Sequence, residues 1–450
     1  MSAGLLRPGI SRGVYPQRLE ASPGLLERTG RQWLDRAVAY SRRKYSLRRV
    51  AVRVDRAARG LDHVDDETLG TLLQGVRYEL LREGLAELPV LRAFAMVREY
   101  AARTLGMRHY DEQLFGAWVI VNGAMAEMAT GEGKSLTATL AAATAALAGI
   151  PVHVITTNEY LAQRDAREMR PLYEALGLSV VAVVESMNTP DKEAAYRSDI
   201  VYCTNKQVAF DYLRDRLISR NEAGPLSLRF SRAQLEHQLV LRGLCFAIID
   251  ESDSVLIDEA RTPLILSREH EDPSQQAIVE QALAFARAME DSRHYRLLPR
   301  ENSVELTEQG RDWLSRQREG MEGVWAARRH TEFLVHQALC ALHLYARDDH
   351  YLVREGKVEI IDRNTGRTMA DRSWQRGLHQ MIECKEGLDM TGYRETLASI
   401  SYQRFFRRYL RLGGMSGTLE QVGGEMRSVY QQGVIAVPTH RPCLRRDQGF

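Results

Sequence analysis

The chain has 450 residues, 44% of them hydrophobic and 27% charged, which is the make-up of an ordinary soluble globular protein with room for roughly three domains. Its formal net charge of +2 leaves no basic field of the kind a dedicated nucleic-acid binder carries, so DNA or RNA is not the expected partner. Five cysteines (Cys203, Cys245, Cys340, Cys384 and Cys443) are odd in number, far apart and without a CxxC pair, which excludes a zinc site and suits a reducing compartment.

The opening run MSAGLLRPGISRGVYPQ lacks the apolar core of a secretory signal, so the protein is expected to start and stay in the cytoplasm. Residues 1 to about 107 read as helical, with periodic Leu, Val and Ala and many arginines. Within them Arg42, Arg43, Lys44, Arg48, Arg49, Arg53 and Arg56 form either a contact for acidic lipid or a solvated helix face, and the solvated face is the reading taken. From Gly123 the texture changes to short β-rich runs separated by helical stretches: Ala124–Met128, Val152–Thr157, Leu178–Val184, Asp199–Thr204 and Leu244–Asp250. That alternation predicts an α/β fold with a doubly wound parallel sheet. Such sheets bind ligands beyond the carboxyl ends of their strands, which brings the loops after Met128, Thr157 and Ile249 to one edge. The apolar run Leu136–Ile150 is shorter than the roughly 20 residues needed to span a bilayer and reads as a buried helix.

After Thr262–Pro263 the alternation stops. A polar stretch from Ser267 to about Asn302 leads into helices and then a hairpin, Tyr351–Asp362, turning at Glu355–Gly356–Lys357. Residues 265–393 are therefore expected to form a domain inserted into the first, which spans 108–264 and returns over 394–432. From Thr396 the pattern is helical again, up to a small-residue turn at Leu412–Thr418 and an apolar run at Gly433–Thr439.

The run MATGEGKS (Met128–Ser135) lies between a strand and an alanine-rich helix. Backbone N–H groups of a glycine-rich turn wrap phosphate oxygens, aided by the positive end of the following helix. Gly131 and Gly133 permit the close approach, Lys134 would meet the β- and γ-phosphates, and the Ser135 hydroxyl would hold Mg²⁺. Met128 occupies the place of the first glycine of GxxxxGK[ST]. In AIIDESDS (Ala247–Ser254) a strand delivers Asp250 to the same edge, where it reaches magnesium through water, and Glu251 is placed to activate the attacking water. Asp253 adds a carboxylate for hydrogen bonds to neighbouring motifs. Gln113, just ahead of the phosphate loop, has an amide suited to an adenine edge, and Gly414–Thr418 forms a loop able to couple nucleotide state to a neighbouring domain.

Together these residues resemble the SecA family, the ATP-driven motors of bacterial protein export. The likeness runs from about residue 90 to 450 through LRAFAMVREYAARTLGMRHYDEQLFG, AEMATGEGKSLTATL, TTNEYLAQRDA, LYEALGLSV, DIVYCTNKQVAFDYLRD, RGLCFAIIDESDSVLIDEARTPLIL, NTGRTMADRSWQRGLHQMIECKEG, LASISYQRFFRRY, GGMSGT and VPTHRP, in that order. The resemblance implies a RecA-like, DEAD-type motor lobe that binds and hydrolyses ATP with Mg²⁺. Gln113 would be its adenine-sensing glutamine, Thr130, Gly131, Glu132, Gly133, Lys134 and Ser135 its phosphate loop, and Asp250 and Glu251 its magnesium and water-activating acids. It further implies that residues 265–393 are a preprotein cross-linking domain that clamps unfolded polypeptide, and that the partners are the SecYEG channel, unfolded preprotein and acidic lipids, with a homodimer as a further option. The location implied is the cytoplasm, peripheral to the cytoplasmic membrane.

Ser252 stands where the family has valine, Arg363 where an acid is usual and His440 where asparagine is typical, and the polar stretch after Ser267 is short. These departures point to a divergent or accessory member. The family's second motor lobe should begin near Val434, so residues 433–450 are expected to be only its start. That lobe carries the arginine finger, and such fingers contribute about 10³–10⁵ in turnover. Residues 1–450 alone are thus expected to bind nucleotide, hydrolyse it very slowly and move no polypeptide. A nucleic-acid helicase of the same motor class and a non-hydrolysing nucleotide-dependent regulator are the alternatives the residues leave open.

Overall fold

The computed structural model describes residues 15–18, 47–221, 239–270, 273–298, 303–354, 356–361, 368–369, 374, 377–391 and 393–441. The chain divides into two compact units. Unit 1 comprises Met1–Leu266 and Ala398–Phe450, and unit 2 is Ser267–Leu397.

The first described residues of unit 1, Tyr15–Arg18, are not helical, although the sequence suggested a helix there. Pro16 has no N–H to give a helix, and the backbone of this stretch bonds to residues 244 and 408 instead. Among the described residues the next α-helices are α1 (Leu47–Ala57), α2 (Asp66–Glu83), α3 (Glu87–Leu105) and α4 (Asp111–Val121). The Asp65 carboxylate caps α2 by accepting from Thr68 N at 2.7 Å. Along α3, Val90, Ala93, Phe94, Val97 and Ala101 recur at helical spacing with no exposure. Arginine-rich α1 buries Val50, Ala51 and Val54, while Arg48, Arg49 and Arg53 face outward and Arg53 pairs with Glu87. Arg42, Arg43 and Lys44 lie outside the described residues.

The rest of unit 1 is built on a parallel sheet. Its elements in order are β1 (Met125–Glu127), α5 (Lys134–Leu147), β2 (Val152–Thr156), α6 (Glu159–Ala175), β3 (Val180–Ala182), α7 (Thr189–Tyr196), β4 (Ile200–Thr204), α8 (Asn205–Asn221) and β5 (Phe246–Asp250). Each strand falls within one of the five β-rich runs. Alternate residues feed two different cores: Val154, Tyr202 and Ile248 join one cluster, and Ile155, Val201 and Ile249 the other. Both faces are thus covered, as a parallel sheet requires.

Unit 2 is reached through β6 (Pro263–His270). The stretch read as polar carries a helix, α9 (Pro273–Ala288), because Val279, Ala282, Leu283 and Ala286 form a buried stripe among its polar residues. An antiparallel pair, β7 (Tyr295–Leu298) with β8 (Ser303–Leu306), and two helices, α10 (Glu308–Gln317) and α11 (Arg328–His343), follow. The hairpin read at Tyr351–Asp362 is β9 (Tyr351–Arg354) against β10 (Lys357–Ile361), joined by a third strand, β11 (Thr368–Met369). Helix α12 (Leu378–Lys385) packs beneath, and Arg363 lies outside the described residues.

The returning chain departs from the sequence reading. Instead of a helix from Thr396 there is β12 (Tyr393–Ser401), paired with β6, and only a short helix, α13 (Tyr402–Phe406). The small-residue turn is in fact a central strand, β13 (Arg411–Ser416), lying between β1 and β5. Its glycines serve packing: a Cβ on Gly413 would stand 2.6 Å from Ile120 O, and one on Gly414 2.3 Å from Ser252 Oγ. Helix α14 (Leu419–Glu425) leads to β14 (Val434–Ala436). Residues 434–436, expected to start a separate lobe, extend the sheet of unit 1 at its edge. Met125 N–H donates to Gly433 O at 3.0 Å and Val437 N–H to Glu127 O at 2.9 Å, so β1 takes β14 as a parallel neighbour. The final order is β14-β1-β13-β5-β2-β4-β3, every pair parallel.

Candidate nucleotide site

The carboxyl ends of β1, β13, β5 and β2 converge on one sheet edge, and the sequence-expected residues meet there. Between β1 and α5 the loop holds Gly131 at φ 90° and Gly133 at φ 77°, left-handed values that a side chain resists. Gly133 immediately precedes α5, whose first-turn N–H groups open toward the loop, the arrangement that binds anionic phosphate oxygens. Thr130 and Gly131 are exposed and Glu132 half-buried, so the rim of the loop faces solvent.

Gln113 is 5% exposed and braces this loop. Its Nε2 donates to Glu132 O at 3.0 Å, and its Oε1 accepts from Tyr110 N at 3.0 Å. A Cβ on Gly133 would stand 2.3 Å from that Nε2, a second reason for glycine there.

Lys134 Nζ reaches across to Glu251 Oε1 at 2.8 Å, an ion pair between the start of α5 and the end of β5. Glu251 has φ 50°, a strained conformation for a non-glycine residue that is concentrated at functional sites. Asp250, beside it, accepts from Glu251 N at 3.0 Å. Burial pushes the Asp250 carboxyl up to about 6, with the Glu251 charge adding to the rise and Lys134 pulling it back. A half-buried carboxylate so raised is short of positive charge, which fits a site that takes a cation. Ser135 Oγ is 3.5 Å from Asp165 Oδ2 on α6.

Asp165 escaped the sequence reading. It is 4% exposed and bridges to Arg164 at 2.6 Å. The available signal was its position: with Ala162, Ala166 and Met169 it occupies the buried stripe of α6, where an acid needs a reason.

The end of β13 completes the edge. Ser416 Oγ donates to Asp253 Oδ1 at 2.7 Å and lies 3.3 Å from Glu251 Oε2, while Thr418 Oγ1 bonds the other oxygen of Asp253. Burial raises the Asp253 carboxyl, but the hydroxyls of Thr418 and Ser416 outweigh it and hold the group below its usual range. Ser252 is fully buried, and its hydroxyl lies 2.9 Å from Ile249 O and 3.2 Å from Met415 O, between β5 and β13. On the far side of the loop, His440 N–H donates to Glu132 Oε2 at 2.9 Å. The His440 ring stacks on Tyr110 at 3.9 Å and pairs with Glu112 at 3.1 Å.

A parallel sheet with a glycine-rich loop, a lysine and paired acids at one edge is the architecture of a DEAD-like NTPase motor, and the family model that matches residues 34–427 is the SecA DEAD-like domain. The chain is 47% identical over 442 residues to protein translocase subunit SecA 2 of Bordetella avium, covering 96% of this chain and 66% of that protein. It is 44% identical to the SecA 2 subunit of Nitrosospira multiformis, covering 98% of this chain and 67% of that one. Against the SecA 3 subunit of Magnetococcus marinus the identity is 45%, with 96% and 66% covered. The chain belongs to the SecA family. It spans about two thirds of the length of these relatives. Motors of this class work with nucleotide and Mg²⁺.

Proposed function

We propose that unit 1 binds ATP with Mg²⁺ at this sheet edge and that hydrolysis there drives polypeptide across the cytoplasmic membrane. The observation that carries the reading is the Lys134–Glu251 pair at 2.8 Å with Asp250 alongside, at the mouth of a left-handed glycine loop. The N–H groups opening α5 and the Lys134 ammonium hold the phosphates. Asp250 and the Ser135 hydroxyl would hold the metal, whose charge would offset that of the phosphates. Glu251 takes the proton of the attacking water. Gln113 reads the adenine edge with its amide while keeping the loop in register.

With Glu251 held by Lys134, phosphate must draw the lysine away before the base is free. Turnover by residues 1–450 alone is slow for a separate reason: the arginine finger that the resemblance assigns to a second lobe is not among these residues. The substrate is unfolded preprotein, clamped by unit 2 acting as a cross-linking domain, and the channel is SecYEG. The names of the translocase relatives support this assignment. Among the described residues no helix is long and apolar enough to cross a membrane. Attachment would be peripheral, through acidic lipids.

Titrating the chain with a fluorescent ATP analogue tests the reading. Binding should require Mg²⁺ and be lost in Lys134→Ala, and steady-state hydrolysis should be barely measurable. Absence of Mg²⁺-dependent binding would defeat the proposal. Stimulation by RNA or DNA, with a steep salt dependence, would reassign it to a helicase.

A further inference from the structure

Tyr15–Arg18 lies on unit 1 as a segment outside any helix or strand, and every one of its residues is read by a specific partner. Tyr15 Oη donates to Asp215 Oδ2 at 3.2 Å, and its ring lies 6.2 Å from that of Tyr212. Pro16 is buried against Gly243, where a Cβ would stand 2.5 Å from the proline Cδ. Gly243 also has φ 94°, so only glycine both adopts that backbone and leaves room for the proline ring. Pro16 O accepts from Leu244 N at 2.7 Å. Gln17 Oε1 accepts from Tyr212 Oη at 3.0 Å. Arg18 N–H donates to Arg408 O at 2.7 Å, and its guanidinium to Leu410 O at 2.9 Å.

The groove is itself preorganised. Asp215 is 1% exposed and accepts from Val240 N at 2.8 Å and Leu241 N at 2.9 Å. It thereby ties the last part of α8 to the loop before β5, and the same Oδ2 that accepts from Leu241 N also accepts from Tyr15 Oη. The other wall, residues 408–410, runs straight into β13, and Leu410 N–H donates to Leu244 O at 2.9 Å. The segment therefore fastens the starts of β5 and β13 together, the two strands whose far ends carry Asp250, Glu251 and Ser416. Its partners lie some 200 to 400 residues away in sequence, so the contact is tertiary recognition and no local turn accounts for it.

We propose that this cleft is a peptide-binding groove specific for a Tyr-Pro-Gln-Arg segment, with residues 15–18 of the chain itself as its exchangeable occupant. Main-chain bonds at Pro16 and Arg18 supply affinity, and the Tyr15 hydroxyl, the proline ring and the guanidinium supply specificity, the division of labour seen when strands are recognised by a sheet edge. The occupant acts as a strap: seated, it fixes the strand starts; withdrawn, it exposes Leu244 N–H.

The test uses the whole chain with a protease site inserted after Ala21. After cutting, the short fragment should co-elute with the remainder on gel filtration and exchange with an excess of dye-labelled peptide spanning residues 10–22. The same peptide carrying Tyr15→Ala and Arg18→Ala should bind at least tenfold more weakly. In the uncut chain, the same double substitution should speed hydrogen exchange at the Leu244 amide at least tenfold. Equal binding of the two peptides, or failure of the labelled peptide to exchange in, would overturn the proposal. So would a Leu244 amide whose exchange is unchanged in the uncut variant.

Discussion

At the scale of residues, Lys134 and Glu251 neutralise one another across the sheet edge, while Asp250 is left with a carboxyl raised to about 6. If Glu251 is the base, Glu251→Gln should cut single-turnover hydrolysis by about 10²–10⁴ and change nucleotide affinity by less than about threefold. Rapid-quench measurement with excess protein checks the first figure, and a wild-type rate would remove Glu251 from the chemistry. Asp165→Asn should weaken Mg²⁺-dependent nucleotide binding more than binding without metal, because the acid faces the Ser135 hydroxyl and adds to the negative charge at Asp250. Calorimetry at several Mg²⁺ concentrations distinguishes the two. The loop and the acids were legible because their chemistry fixes residue type and spacing within a few positions. Asp165 was not, since its meaning depends on α6 lying beside the loop, and no local spacing encodes that.

Elements show where propensity and packing compete. The strands β2, β4 and β5 could be read because a strand buried on both faces is a continuous apolar run. β13 could not: RLGGMS is poor in β-branched residues, and its glycines are there for Ile120, Ile249 and Ser252 to approach. Gly414→Ala should therefore cost about 1–3 kcal/mol in urea denaturation, the range for overpacking a well-filled interior, and a neutral result would mean the strand pair has slack. Relieving the contact with Ser252→Ala in the same chain should recover part of that loss.

On β2, His153 is buried, its Nδ1 lies 2.8 Å from the Tyr409 hydroxyl, and burial pushes its pKa down to about 3. The unfolded chain then takes up the proton first, so the stability His153 leaves intact above about pH 6.5 is lost as pH falls toward 3. Asp215, raised by burial to about 7, acts in the opposite sense, gaining stability as pH falls from about 7 to 4. The two are separated by substitution: between pH 7 and pH 5 the wild type should lose about 2 kcal/mol more than His153→Asn.

For the whole molecule, the informative fact is that unit 2 encloses its own core. Val279, Leu283, Trp325, Val335, Tyr351, Leu378 and Ile382 form one cluster drawn only from residues within Ser267–Leu397. A polypeptide of residues 267–397 should accordingly fold alone and unfold cooperatively, as judged by dispersed amide resonances and a single thermal transition. A molten spectrum would mean that its core needs unit 1. In the sequence the strand–helix rhythm stops after Pro263, and the second compact unit starts at Ser267. The unit boundaries themselves fall inside two paired strands, β6 and β12, and which residue of a continuous strand belongs to which body is decided by contacts far along the chain.

The order of the sheet has a consequence in time. β1, which leads into the phosphate loop, has β13 and β14 as its neighbours, and both are made long after it. Roughly 290 residues must follow Glu127 before Ser416, its partner on β13, exists. At ribosomal rates of about 5–20 residues per second, that is on the order of 15–60 s in which the loop's own strand has no sheet to join. The strand that carries the phosphate loop thus joins its sheet late, and a nascent chain stopped anywhere short of β13 carries the nucleotide motif without the site.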